Sequence, residues 1–284
     1  MGLSHRGIVS VVQIAVYVPL LALAALLVLR HGFSRESGWI FLAIFSIIRI
    51  VGAVLILVIE NETNPSVNLF TASSIVVSIG LTPLLFAVMG FLGLVAQRAP
   101  RLDMIRAKST LFRILHVAII IGLILSIVAA VKLSSQSSLE DADTSSEATT
   151  FRKVAGIIFA VVYVVLAALH IYCWINRDQI LRHRRKLLIG LTLAVPFVGV
   201  RDLYSLIGSL KSFTSNFSPI SGSLTLYIAM SVVMEFIAVL IYVVFGLTIP
   251  LDLDSDELVG EQSMPLRTVV DGSGQQYAPV YRTR

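Results

Sequence analysis

Long apolar runs alternate with short polar stretches along this chain. Seven runs reach the ~20 residues that a helix needs to cross a bilayer: 8–30, 38–59, 69–95, 111–131, 151–175, 187–209 and 224–247. They do not alternate with the period of two that marks a barrel strand, and at this length only a helix satisfies its own backbone in lipid. The pattern predicts an all-α, polytopic membrane protein. A seven-transmembrane-helix bundle over 1–248 is followed by a polar tail, 249–284, expected to be disordered and cytosolic. The first run is too long for the core of a signal peptide and is read as a retained helix. Pro19, Pro83 and Pro196 fall inside the first, third and sixth runs and predict kinks or irregular backbone. The third run is long for a single span, which predicts tilt or an exposed end.

Composition agrees with the pattern. Hydrophobic residues make up 56% of the chain and charged residues 14%, with a mean hydropathy of +0.88, against roughly 25% charged in a soluble domain. The net charge of +5 does not indicate nucleic acid, because the basic residues sit in short loops and form no stripe interleaved with aromatics. Their distribution indicates orientation instead. Twelve Lys or Arg flank the odd-numbered loops: Arg30, Arg35, Arg98, Arg101, Arg106, Lys108, Arg113, Arg177, Arg182, Arg184, Arg185 and Lys186. Five lie on the other side: Arg6, Lys132, Arg152, Lys153 and Lys211. The positive-inside rule then places the N-terminus outside or lumenal and the C-terminus in the cytosol, in the plasma membrane or an endomembrane. Two sequons, at Asn61 and Asn216, fall on the outer side as candidate glycan acceptors. The segment KLSSQSSLEDADTSSEATT, 132–150, is expected to be a flexible outer loop.

Charges inside the spans are the strongest functional clue, since each needs a partner or water. Arg49 lies mid-way along the second run and Glu235 mid-way along the seventh. Arg201 and Asp202 lie at comparable depth in the sixth. Two arginines and two acids at that depth predict a neutral buried network. Tyr227, Ser231, Glu235 and Tyr242 share roughly one stripe of the seventh helix, and Arg201, Tyr204 and Ser205 one of the sixth. Glu60 is eleven residues from Arg49, about three turns along the same helix. Two readings remain open: a polar cavity for a ligand or solute, or an ion-pair network that fixes helix order.

His116 and His170 sit at matched depth near the same ends of their runs and are expected to form interhelical hydrogen bonds. Two histidines do not make a zinc site, which takes three protein ligands in its catalytic form. Cys173 is the only cysteine, so it reads as a packing residue. There is no G-x-S-x-G elbow, P-loop or dinucleotide fingerprint. No catalytic residue, metal or cofactor is therefore assigned.

Several segments carry a family resemblance: GWIFLAIFSIIRIVG at 38–52 with Glu60, Asn64-Pro65, LTPLLFA at 81–87, PFVGVRDLYS at 196–205 and MEFIAVLIYVVFGL at 234–247. Over residues 5–248 the chain resembles a fungal seven-transmembrane domain family of unknown function. The resemblance implies the fold and a fungal membrane setting. In outline the chain is also similar to seven-helix proteins proposed as lipid-related exporters or receptors, and to seven-helix lipid hydrolases, whose metal-ligand pattern it lacks. The expected function is a receptor or sensor for a small-molecule or lipid ligand, surrounded by membrane lipids and signalling to a cytosolic partner. The alternative is a transporter or lipid translocator, and a membrane-embedded hydrolase comes third.

Overall fold

A computed structural model describes residues 4–31, 38–62, 64, 66–97, 102, 105, 109–134, 142–180, 182–211 and 223–248. The helices are α1 (His5–His31), α2 (Trp39–Asn61), α3 (Val67–Ile79), α4 (Leu81–Ala96), α5 (Thr110–Ser134), α6 (Ala142–Ile175), α7 (Arg182–Leu210), α8 (Leu224–Tyr227) and α9 (Val233–Thr248). A π-helical turn, Ile228–Val232, joins α8 to α9. Among the described residues there is no strand, and seven helical stretches are long and apolar enough to cross a membrane. The protein is a multi-pass, seven-helix membrane bundle. By contacts the chain divides into a unit covering 1–249 and another covering 250–284. The second unit, with the tail expected to be disordered, lies outside the described residues, as does Asn216.

Helix alternation gives the bundle two faces. The first carries the start of α1, the end of α2 and the starts of α3, α6 and α8. The second carries the end of α1 and the starts of α2, α5 and α7. Two of the seven crossings are interrupted helices, and a third is longer than its apolar run. The third run is two helices that meet at Gly80. Pro83 lies in the first turn of α4, where its missing N–H has no intrahelical partner to lose. In the seventh crossing the π-turn adds an i→i+5 step that no proline announces. Finally, α6 starts at Ala142 rather than near 151, so 142–150 is helical and not part of a flexible loop. At 34 residues and ~1.5 Å per residue it outruns the ~30 Å hydrocarbon core. Its first turns continue a nucleated helix, and Glu147 is tied to Lys132 at the end of α5.

α4 is the central helix and is buried on almost every side, as expected for a helix without a polar face. α3 is the opposite case: Ser73 is its one buried residue. Among the described residues, large side chains pack together in the second-face half of the bundle. The Trp39 ring meets Phe91 edge-on at 4.6 Å, and Phe91 in turn meets Tyr242 at 4.8 Å. Leu27, Leu42 and Leu92 are fully buried around them.

Two arginines close helix ends on this face. Arg184 Nη1 donates to Leu94 O at 2.8 Å, Gln97 O at 3.1 Å and Gln97 Oε1 at 3.0 Å, which satisfies the last carbonyls of α4. Arg30 Nη1 donates to Leu247 O at 3.2 Å near the end of α9. Arg184→Ala is expected to cost about 1.5–3 kcal/mol, since a charged donor is lost and buried carbonyls are left unpaired. Arg30→Ala, at an exposed site, should cost less. Unfolding of each variant in mixed micelles measures the difference.

Candidate functional site

Three charged side chains from three helices meet at mid-depth. Glu235 of α9 is fully buried, and Arg49 of α2 and Arg201 of α7 are each 5% exposed. One oxygen, Glu235 Oε1, accepts hydrogen bonds from Arg49 Nη2 and Arg201 Nε. Ser231 Oγ approaches the same oxygen at 3.4 Å. Arg201 Nη1 donates to Ser205 Oγ, one turn further along α7. In hydrocarbon such charges persist only when paired in this way.

Local structure makes room for the cluster. A Cβ on Gly80 would stand 2.9 Å from Arg49 Nη2, so the joint between α3 and α4 is also where the guanidinium fits. The Arg49 Cζ lies 5.4 Å from the centroid of Phe45, one turn earlier on α2. The π-turn explains the seventh helix. Residues four apart drift by about 40° per step on an α-helix. A wider turn takes up that drift and keeps Tyr227, Ser231 and Glu235 on the buried side.

The network differs from the neutral foursome expected from depth alone. Asp202 is buried, but it makes no ion pair, and its Oδ1 has no hydrogen-bond partner among the described residues. One residue along a helix turns the side chain by about 100°, which takes Asp202 off the face that Arg201 uses. The shared cluster thus has two cations and one carboxylate.

Two cavities flank α3. The larger, about 230 Å³, lies among α1, α2, α3 and α8, with Gln13, Ser73 and Tyr227 in its wall and Arg6 and Glu60 near the helix ends. The smaller, about 120 Å³, lies among α3, α4, α5, α6 and α7, and Arg201 and Tyr204 line it. Ser74 and Val77 of α3 belong to both walls. Both cavities occupy the first-face half of the bundle. The smaller runs from Ser209, next to the end of α7, down to Arg201, a depth of about 12 Å at ~1.5 Å per residue.

The other residues singled out from sequence separate. Glu60 is exposed and does not join Arg49; it accepts from Ser4 Oγ and, at 3.1 Å, from Gly7 N, holding the start of α1 against the end of α2. Tyr242 belongs to the second-face aromatic stack, and its hydroxyl has no partner among the described residues. Asn61 is exposed at the end of α2. The two histidines have different partners. His116 packs on Phe86 at 4.8 Å. His170 Nε2 lies 3.1 Å from Thr192 Oγ1 of α7, which also accepts from Trp174 Nε1 at 2.8 Å and donates to Leu188 O at 2.8 Å. With that proton committed, His170 Nε2 is the donor. Among the described residues no three His, Cys, Asp or Glu side chains converge on one point. Sequence reasoning passed over Gln13 and Tyr17 of α1. Both are buried polar side chains, and Gln13 Nε2 and the Tyr17 hydroxyl have no partner among the described residues. A polar residue within an apolar first run was the available signal.

Fold and site together define a seven-helix integral membrane protein with a buried Arg–Glu–Arg cluster, one arginine of which lines the smaller of two mainly apolar cavities. The chain belongs to the family described as a domain of unknown function, DUF7702, which matches residues 3–252. No curated protein and no solved structure matches it.

Proposed function

We propose that this protein is a non-enzymatic receptor or sensor that takes its ligand from the first face and passes the change to a cytosolic partner at the second. The observation that carries this reading is the asymmetry of the bundle. Both described cavities lie in the first-face half, the smaller with Arg201 of the cluster in its wall, while the described residues of the opposite half pack around Trp39, Phe91 and Tyr242. The positive-inside distribution supports a first face that is extracellular or lumenal. The fungal setting rests on the sequence segments quoted above. α3 is suited to respond, being lightly buried, shared by both cavities, and joined to α4 at the glycine that contacts Arg49.

A second reading has one observation in its favour. Broken helices beside mid-membrane charges are also how many transporters build a site, and here α3–α4 and α8–α9 are both interrupted near the cluster. Thiol labelling separates the two. Cys173 is the only cysteine and is buried, so single cysteines can be placed on a Cys173→Ala background. Ser209→Cys and Ser73→Cys are expected to react with a membrane-impermeant reagent supplied to the first face, and not from the second. In intact cells or oriented vesicles the reactive side is expected to be the outer or lumenal one. Reaction from both faces would mean alternating access and would replace the receptor with a transporter.

A further inference from the structure

The smaller cavity has a lining that selects charge. Arg152 of α6 and Arg201 of α7 both face it, together with five serines and the Tyr204 ring, and no Asp or Glu lines it among the described residues. Ser78 and Ser209 already donate to Ser74 O and Leu206 O, but the hydroxyl of Ser205 is placed to donate into the cavity. Ser205 Oγ accepts from Arg201 Nη1 and so keeps its own proton for another acceptor. At the upper end, Arg152 Nη2 donates to Lys211 O at 2.7 Å, which fixes the guanidinium at the rim beside the end of α7. Arg201 itself shares one carboxylate oxygen with Arg49. The one acid next to it in sequence, Asp202, is not part of the wall. The remaining wall is apolar, from Val77 and Leu81 across to Leu133 and Phe159.

We propose that this cavity is an oxyanion site: it binds a phosphate or carboxylate group, presented either as a free ion or as the head of an anionic lipid. Arg152 attracts the anion at the rim and Arg201 holds it at the floor, where the Ser205 hydroxyl donates to it. Charge-assisted bonds of this kind are the strong ones, and they gain strength away from water. The larger cavity is a different environment. It holds Glu60 as well as Arg6 and has Gln13 in its wall, so it carries no comparable excess of positive charge. The assignment names the ligand class of the receptor proposed above and rests on that reading.

The test uses the full chain in phosphatidylcholine nanodiscs, with unfolding followed by the fluorescence of its two tryptophans. Three additions are compared: inorganic phosphate, phosphatidic acid in the bilayer, and uncharged diacylglycerol in the bilayer. Phosphate or phosphatidic acid is expected to raise the Tm saturably, and diacylglycerol is not. Stabilisation by phosphate alone identifies a free ion, and by phosphatidic acid alone a lipid head. Arg152→Gln leaves the buried cluster intact and should weaken the apparent affinity about tenfold, the scale of one lost charged hydrogen bond, with Arg152→Lys recovering part of it. Arg6→Gln, at the other cavity, should leave it unchanged. Ser126→Phe keeps every charge but narrows the cavity, and should abolish the effect if Arg152→Gln fails to fold. The assignment falls if neither anion stabilises the protein, if diacylglycerol matches phosphatidic acid, or if the folded Arg152 and Ser126 variants respond as the parent does. In each case one-sided thiol labelling would still leave the receptor standing. Labelling from both faces with anion binding retained would do the reverse.

Discussion

Glu235→Ala is expected to destabilise the bundle by about 3–5 kcal/mol, the scale for removing one partner of a buried ion pair. It should cost clearly more than Arg49→Met or Arg201→Met. The reason is stoichiometry. Both arginines bond to the same oxygen of Glu235, so removing the acid strands two buried guanidiniums. Removing one arginine leaves the other paired one-to-one. Arg49→Met gives up the guanidinium contacts with Phe45 and Gly80 but keeps an apolar chain in the same place, so no charge is stranded. The double variant Arg49→Met with Glu235→Ala still leaves Arg201 without its acid, so it should recover only part of the loss. A triple variant with Met at both arginine positions and Leu at 235 removes every charge of the cluster, and should be closer to the parent than Glu235→Ala is. Equilibrium unfolding in mixed micelles gives all five values. Equal losses for Glu235→Ala and Arg49→Met would mean that the acid does not serve both arginines, and the shared-oxygen arrangement would be wrong.

That asymmetry also shows what a sequence of this kind conveys. The spanning helices are legible because a run of about 20 apolar residues has few alternatives in lipid. Arg49, Arg201 and Glu235 are legible as a group because an unpaired charge at that depth is not tolerated. Asp202 was grouped with them on depth, and depth says nothing of azimuth: one residue further along the helix is enough to lose the partner. The joint at Gly80 was hidden because a glycine in an apolar run usually reads as close packing. Here it accepts a guanidinium and ends a helix at once. The π-turn at Ile228–Val232 has no residue signature, yet it determines that Tyr227 and Ser231 stay with Glu235. The cavities were least legible of all. Arg152 reads as a charge at the end of a span in the positive-inside count, and which cavity wall it shares with Ser209 and Arg201 depends on how α6 packs on α7. Which helix faces leave space between them depends on how long and how straight each helix is, and hydropathy does not report either.

The second large effect is expected at the opposite end of the bundle, where packing rather than charge is decisive. Trp39 is fully buried at the start of α2, edge-on to Phe91. A Cβ on Gly246 would fall 2.4 Å from Trp39 ring carbons and 3.0 Å from Leu27 Cδ1. The indole therefore occupies the space that a side chain at 246 would need, and its own burial prevents it from moving aside. Trp39→Ala should cost about 3–5 kcal/mol through the cavity it leaves. Gly246→Leu should cost about 1–3 kcal/mol or more through overpacking. Combined, the two changes compensate, because the leucine enters the volume that the indole vacated. The double variant is expected to be more stable than Trp39→Ala alone, with a favourable coupling of about 1–3 kcal/mol. Ile241→Leu, a volume-conserving change at a partly buried position on α9, should combine additively with Trp39→Ala and serves as the control. Additivity between Trp39 and Gly246 would show that the ring does not rest on that glycine. The same variants bear on the receptor reading. If the second-face half is closed by this packing, Trp39→Ala should make Ser209→Cys on the Cys173→Ala background reactive from the second face. Adding Gly246→Leu should close the path again.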